Sequence, residues 1–261
     1  MPSPRPIRLA LLGTGLFARS AHIPALQALG DTFEIVAIYS RDPASQAATE
    51  AARLAGGEVE LTDDLDGLLA RDDIEAVDVV WPIQRLAEGV ERALRAGKHV
   101  VSEKPAAPSV EVGRRLLALH AEHPDLVWMV AENWRYEPAF CQAADRVLRG
   151  EIGRVLTLDW LAYSAMTPQN PYYGTDWRRD NTFMGGFLLD GGVHHIALLR
   201  LIAGEIASVS AAMTQHRPDL PPADTISAAL EFASGAIGSY GVTYAAAPPW
   251  PSALRVVGEA G

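Results

Sequence analysis

Cys141 is the chain's only cysteine. That excludes an intramolecular disulfide and a cysteine-rich metal site, and it suits a reducing compartment. No run of lysine and arginine stands out either. Thirty-two acidic against twenty-two basic residues leave a net charge of −10, so nucleic acid and anionic membrane are poor partners. An anionic ligand has to be held by a local basic site. No hydrophobic run approaches transmembrane length. The opening MPSPRPIRLALLG carries two arginines, but its apolar run is too short and too interrupted for a secretory signal. A cytoplasmic protein is expected. At 261 residues, 49% hydrophobic and 21% charged, the chain has a soluble globular balance and the length of one large domain or two ordinary ones.

The first half alternates. IRLALLG (7–13), FEIVAIYS (33–40), a short run near 58–61, EAVDVVW (75–81), KHVVSEK (98–104) and LVWMVA (126–131) read as strands. Helices are expected between them near 16–29, 44–55, 64–70, 85–96 and 110–123, with Gly30 and Gly97 at helix ends. The strands are apolar almost throughout, which indicates a parallel sheet covered on both faces. After about residue 132 the rhythm changes. A helix near 137–149 leads to RVLTLDWLAYS (154–164), a long polar and aromatic loop, another helix, and strand-like runs near 206–213, 224–232 and 236–244. APPWP (247–251) is a Pro-rich loop. The expected fold is an α/β dinucleotide-binding domain over 1–131, followed by an α+β domain over 132–261 with an open, mostly antiparallel sheet.

Three places carry chemistry. Gly13-Thr14-Gly15-Leu16-Phe17-Ala18 matches G-x-G-x-x-A between the first strand and the first helix. There the glycines permit a tight turn and close approach to a pyrophosphate, which the helix N-terminus stabilises. At the tip of the second strand, where an NAD site places an acid for the ribose 2′-hydroxyl, the chain reads Tyr39-Ser40-Arg41-Asp42. Arg41 could pair with a 2′-phosphate, so NADP(H) is the preferred cofactor, while NAD(H) remains open through Asp42. Glu103, Lys104 and Pro105 end a central strand, where ligands of open α/β sheets bind. Glu103 could bond the nicotinamide ribose and Lys104 the oxygen that exchanges a proton beside the hydride.

The third place is FLLDGGVHHIALLR (187–200), an apolar stretch holding Asp190, His194 and His195. On a helix Asp190 and His194 share a face one turn apart, and His195 points about 100° away. The plain alternative makes Asp190 a helix cap after Gly185-Gly186 and both histidines ordinary packing residues. Tyr163, Trp177 and Arg178 are candidates for a substrate wall. No metal site is expected.

In these residues the chain resembles the glucose–fructose oxidoreductase, inositol dehydrogenase and MocA-like oxidoreductases. Besides the glycine motif, the matching pieces are AHIPAL, AGKHVVSEKP, ENWRYEPAF, DWRRD and GGFLLDGGVHHIALLRLIAG, in order along almost the whole chain. The resemblance implies a Rossmann domain and a second domain whose open sheet carries substrate and subunit contacts, hence a homo-oligomer. It places Lys104 on the family's catalytic lysine, and Asp190 and His194 on its D-x-x-x-H pair. His194 is then the acid/base and Asp190 orients it, while His195 takes a variable position. It also implies a bent, cis Lys104-Pro105 peptide. Trp81, Pro82 and Gln84 join the expected cofactor contacts. Gln84 stands in for the family's usual Asn and His after the proline, since this chain reads Ile83-Gln84-Arg85-Leu86. A second departure is the end at VVGEAG, a turn that in relatives leads into further strands, so the second domain is expected to be shortened. The implied function is an NADP(H)-dependent oxidoreductase. It moves a hydride to or from a hydroxyl or carbonyl carbon of a sugar, polyol or related small molecule. The alternatives are a regulatory or sensor protein that binds the dinucleotide without turnover, and a relative that uses the nicotinamide transiently to eliminate or hydrolyse a sugar bond.

Overall fold

The computed structural model describes residues 5–56, 58–179, 183, 185–247 and 251–261. Residues 180–182 and 184 of the long loop, and 248–250 of APPWP, lie outside the described residues. The chain divides into two compact units, Met1–Ala131 and Glu132–Gly261.

The first unit is built on β1 (Ile7–Leu12), β2 (Phe33–Tyr39), β3 (Glu60–Thr62), β4 (Ala76–Val79), β5 (His99–Ser102) and β6 (Trp128–Val130). All their pairings are parallel, in the order β3-β2-β1-β4-β5-β6. That is the doubly wound dinucleotide-binding order, with its switch point between β1 and β4. Side chains alternate across β1. Leu9 and Leu11 meet Ile23, Ile38 and Ala51 on one face, under α1 (Ile23–Ala28) and α2 (Gln46–Ala55). Ala10 and Leu12 meet Leu68, Leu86, Val90 and Leu116 on the other, under α3 (Leu65–Leu69), α4 (Ile83–Arg95) and α5 (Val110–Ala121).

One expected helix is split. Over 16–29 the structure forms a π-helical turn at Ala18–His22 and only then α1. Pro24 has no N–H for the carbonyl four residues back, so a regular ladder cannot run through it. Just before it, the Ile23 N–H donates to Ala18 O instead.

The second unit contains α6 (Pro138–Leu148), β7 (Val155–Tyr163), α7 (Gly186–Ala203), β8 (Ile206–Thr214), β9 (Thr225–Phe232), β10 (Ile237–Thr243) and β11 (Ala253–Gly258). The sheet order is β11-β7-β10-β9-β8, antiparallel except for β7 with β10. β11 corrects the reading of VVGEAG as a turn: Ala253–Gly258 pairs along β7, and the chain turns only at Gly258–Gly261. One sheet face packs on α7 through Leu158, Trp160, Leu198, Leu199, Leu230 and Tyr240. The opposite face is open, and Ile237 is exposed on it; Val209 and Met213 of the edge strand β8 share the core face with Leu230 and Ile226 but are also exposed.

α7 holds two surprises. Its 18 residues have a mean hydropathy of 1.3, long and apolar enough to cross a membrane by length and composition, so the expectation that no run approaches that length is corrected. Here its Leu198, Leu199 and Ile202 are buried in the sheet core. Asp190 also lies inside the helix, which starts at Gly186, so it is not a cap. The glycines after it have a packing reason. A Cβ on Gly191 would lie 1.9 Å from the Tyr244 hydroxyl, and one on Gly192 would lie 3.0 Å from that of Tyr240. Helix propensity favours Gly191→Ala by about 1 kcal/mol, whereas a collision of this depth costs about 1–3 kcal/mol. Gly191→Ala is therefore expected to destabilise the protein in urea melts, and to become neutral or stabilising in a Tyr244→Phe background. Equal effects in both backgrounds would mean that the hydroxyl is not what the glycine accommodates.

Candidate functional site

β1 ends against the switch point with Gly13 at φ +118°. An added Cβ there would lie 2.6 Å from Val80 O and 3.1 Å from Trp81 Cδ1, so both conformation and space require glycine. At Gly15 the reason is different. An added Cβ would meet nothing within 4 Å, so the backbone faces open space just ahead of the helical segment. Bare backbone at a helix entry is the arrangement that admits a pyrophosphate.

A cavity of about 370 Å³ opens there and brings together Gly13, Thr14, Gly15, Ser40, Arg41, Trp81 and Pro82 of the expected cofactor set. Asp42 and Arg85 line it as well. Leu16, Phe17 and Gln84 are outside its lining. Leu16 is exposed, Phe17 turns its ring edge against His22 at 5.4 Å, and Gln84 lies in the first turn of α4. At the tip of β2 the Thr14 and Ser40 hydroxyls are 3.4 Å apart, and Ser40 donates to Asp42 O at 3.0 Å. Asp42 turns its carboxylate into its own loop, accepting from Ala44 N at 3.1 Å. Arg41 is exposed and makes no ion pair among the described residues. Trp81 packs on Tyr39 with ring centroids 5.8 Å apart, and the Arg85 guanidinium lies 5.1 Å over its ring.

Lys104 follows β5 and is joined to Pro105 by the cis peptide that the resemblance implied. Glu103, expected at the nicotinamide ribose, is buried, and its Oε1 accepts from His22 Nε2 at 3.0 Å. The other ring nitrogen, His22 Nδ1, lies 2.7 Å from Asp78 Oδ2. Burial opposes a charge on His22, but hydrogen bonds to Asp78 and Glu103, with the negative charge of both, outweigh it and raise the imidazole to about 10. The sequence reading missed this array, though it held a signal. Asp78 interrupts the apolar EAVDVVW, and a buried acid needs a partner.

In the second unit, α7 carries Asp190 and His194 at the expected one-turn spacing. The carboxylate that holds His194 is nevertheless not the expected one. Glu132 Oε1 lies 2.5 Å from His194 Nδ1, and Trp134 stacks on the imidazole at 5.4 Å with only 17° between planes. Asp190 instead accepts from Arg178 Nε at 2.7 Å. Arg178 also donates to Thr175 Oγ1 at 2.9 Å and lies 4.0 Å over the Trp177 ring. Trp177, Arg178 and Asp190 thus form one cluster. Tyr163 does not join them: strand alternation puts it on the open face of β7, opposite Ala162 and the face that α7 covers. His195 is buried, with Nδ1 3.1 Å from the Tyr240 hydroxyl. Burial, reinforced by the neighbouring His194, lowers it to about 4, so it is neutral and structural near pH 7.

The strand order, the bare-backbone turn and the cavity beside it define a dinucleotide-binding oxidoreductase fold. Family models agree along the chain: residues 7–131 match the oxidoreductase family with an NAD-binding Rossmann fold, and residues 140–261 match the GFO/IDH/MocA C-terminal domain. The chain belongs to the GFO/IDH/MocA oxidoreductases, and is an NAD(P)-dependent oxidoreductase. It is 37% identical over 241 residues to a dehydrogenase of Fusarium mangiferae, covering 86% of this chain and 67% of that one. The solved oxidoreductase of Thermotoga maritima is similar with a TM-score of 0.92 and 37% identity, over 98% of this chain and 78% of its own. The WlbA dehydrogenase of Bordetella pertussis, solved with NADH and UDP-GlcNAcA, has a TM-score of 0.86 and 28% identity over 99% of this chain and 73% of its own.

The His22 array makes a signed prediction. Folding raises His22 above its ordinary 6.5, so its contribution to stability is complete below about pH 6.5 and is lost as the pH climbs through about 10. His22→Leu leaves two buried carboxylates without their cation and is expected to cost about 3–5 kcal/mol near neutral pH. Chemical denaturation at a series of pH values should show the gap from wild type narrowing between those limits. A gap independent of pH would show that the ring carries no proton-linked charge.

Proposed function

We propose that this chain is an NADP(H)-preferring oxidoreductase acting on a hydroxyl or carbonyl carbon of a sugar, polyol or related small molecule. The observation that carries the cofactor choice is the tip of β2. Arg41 is exposed without an ion pair among the described residues, while Asp42 accepts from Ala44 N inside its own loop. A guanidinium suits a 2′-phosphate, and an acid already engaged is a poor acceptor for a 2′-hydroxyl. The cradle residues fit a dinucleotide, with Gly13 and Gly15 presenting backbone and Thr14 and Ser40 presenting hydroxyls. Bound there, the nicotinamide would supply or accept the hydride.

The chain's own groups handle the proton and the orientation. His194 exchanges a proton with the substrate oxygen through Nε2, because its Nδ1 is engaged by Glu132. Lys104 Nζ donates to the oxygen on the reacting carbon, a role that rests on its match to the family's lysine. Asp190 holds Arg178 against Trp177, giving a polar and aromatic surface of the kind that binds a ring bearing hydroxyls. The sugar class is supported by the UDP-GlcNAcA bound to the B. pertussis relative.

Two measurements test the reading. Arg41→Ala should weaken NADP binding by an order of magnitude or more and leave NAD binding nearly unchanged, as read by calorimetry with both cofactors. Equal losses, or a wild type that prefers NAD, would refute the NADP assignment. Turnover of sugars and polyols, followed by nicotinamide absorbance, should fall roughly 10²–10⁴-fold in His194→Ala with cofactor affinity intact. His195→Ala should lower stability and spare the chemistry, and the reverse pattern would remove His194 from the mechanism.

A further inference from the structure

Glu132 stands just before a single 3-10 turn at Asn133–Tyr136, and its Oε1 accepts from Trp134 N at 3.1 Å. The same oxygen lies 2.5 Å from His194 Nδ1. An oxygen already accepting a backbone N–H faces the ring as an acceptor, so Nδ1 must carry the hydrogen. The second oxygen, Oε2, is buried and has no hydrogen-bond partner among the described residues. A cap alone does not require that, since asparagine or serine caps a helical turn without burying an unmatched carboxylate oxygen.

The ring is constrained in two independent ways. Trp134 lies nearly parallel to it and fixes its plane. Stacking alone would still allow the imidazole to flip by half a turn in that plane, exchanging Nδ1 for a carbon. The hydrogen bond to Glu132 selects one of the two orientations.

We propose that Glu132 is the positioning residue of the acid/base, holding His194 in the orientation and tautomer that carry hydrogen on Nδ1 and leave Nε2 to exchange a proton with substrate. This rests on the reading of His194 as the acid/base, and it assigns to Glu132 the orienting role that helix spacing suggested for Asp190. A carboxylate behind an imidazole is a common way to fix its tautomer, and loss of such a partner typically lowers activity by 10–100-fold in metal–histidine sites. A loss of that size is expected here.

The test begins with wild type and needs no substrate. In protein carrying 15N-histidine, with His194 assigned by its absence in His194→Gln, long-range proton–nitrogen spectra of the neutral ring should show hydrogen on Nδ1 and a bare Nε2. The opposite tautomer in wild type overturns the proposal at once. In Glu132→Ala the His194 signals should shift toward the Nε2-protonated form that free histidine prefers. In Glu132→Gln, whose amide oxygen still accepts, the wild-type pattern should return. Turnover of the sugar or polyol found in the screen should follow the tautomer, with kcat falling about 10–100-fold in Glu132→Ala, recovering in Glu132→Gln, and KM for the cofactor constant. An unchanged tautomer in a folded Glu132→Ala protein overturns the proposal and leaves the role of His194 standing. A changed tautomer with undiminished kcat overturns both.

Discussion

His22 reaches Asp78 with one ring nitrogen and Glu103 with the other, at 2.7 and 3.0 Å, and so joins the entry of α1, the middle of β4 and the end of β5. Much of the first unit's site depends on that join. The glycine turn leads into the helical segment that His22 ends, and Lys104 directly follows Glu103. One cation between two buried anions is a poor way to gain stability, because apolar residues of the same volume often do as well. What the charges add is a fixed separation on both sides of the ring. Removing the ring leaves two carboxylates indoors without a cation between them, and burial with the neighbouring Glu103 charge already pushes Asp78 above the ordinary carboxylate range.

The second unit solves a similar problem with aromatic rings. Trp134 touches both adjacent histidines, stacking flat on His194 and tilting against His195. His195 goes to the sheet, where Tyr240 bonds its Nδ1, and Gly192 leaves room for that hydroxyl. One helix thus turns two identical side chains to different ends. Burial drains the charge from His195, while His194 keeps its contact with an acid.

The elements that depend on periodicity were legible in the sequence. Continuous apolar runs gave the six parallel strands, and G-x-G-x-x-A in a strand–turn–helix context located the cradle. Three things were not legible, each for a physical reason. Pro24 alters the hydrogen-bond ladder without altering the hydrophobic pattern, so a π turn and a short helix read as one helix. β11 is six residues long and carries an arginine at its centre, a weak strand signal that only the pairing with β7 turns into an edge strand. The third is the carboxylate behind His194. Helix spacing states which residues share a face of their own helix, but not which element arrives from elsewhere. Glu132, 62 positions away in sequence, takes the place that Asp190 was expected to fill. Tyr163 stands apart from Trp177 and Arg178 for a related reason, since the strand was legible but the face of the sheet was not.

Counting committed ring nitrogens separates the histidines of this chain more sharply than their pattern in the sequence does. His22 has both nitrogens bonded to carboxylates and its side chain is 10% exposed, so it can hold a proton but has no nitrogen with which to pass one on. His195 is buried, bonded to Tyr240 and neutral down to about 4, so it offers no proton near neutral pH. His99 Nδ1 accepts from Val127 N, and His120 Nε2 lies 2.9 Å from Leu126 O; both secure the backbone around β6. His99 and His120 also keep one nitrogen uncommitted among the described residues, but their bonded nitrogen meets backbone; of these five rings, His194 alone is held by a carboxylate on one nitrogen with the other left over. Its Nδ1 is held by Glu132, its plane is held by Trp134, and Nε2 has no hydrogen-bond partner among the described residues, on a side chain 16% exposed. A general acid/base needs a fixed ring and one uncommitted nitrogen. Burial alone would have pointed to His22 or His195, and a carboxylate contact alone would have pointed equally to His22. Both requirements together select His194.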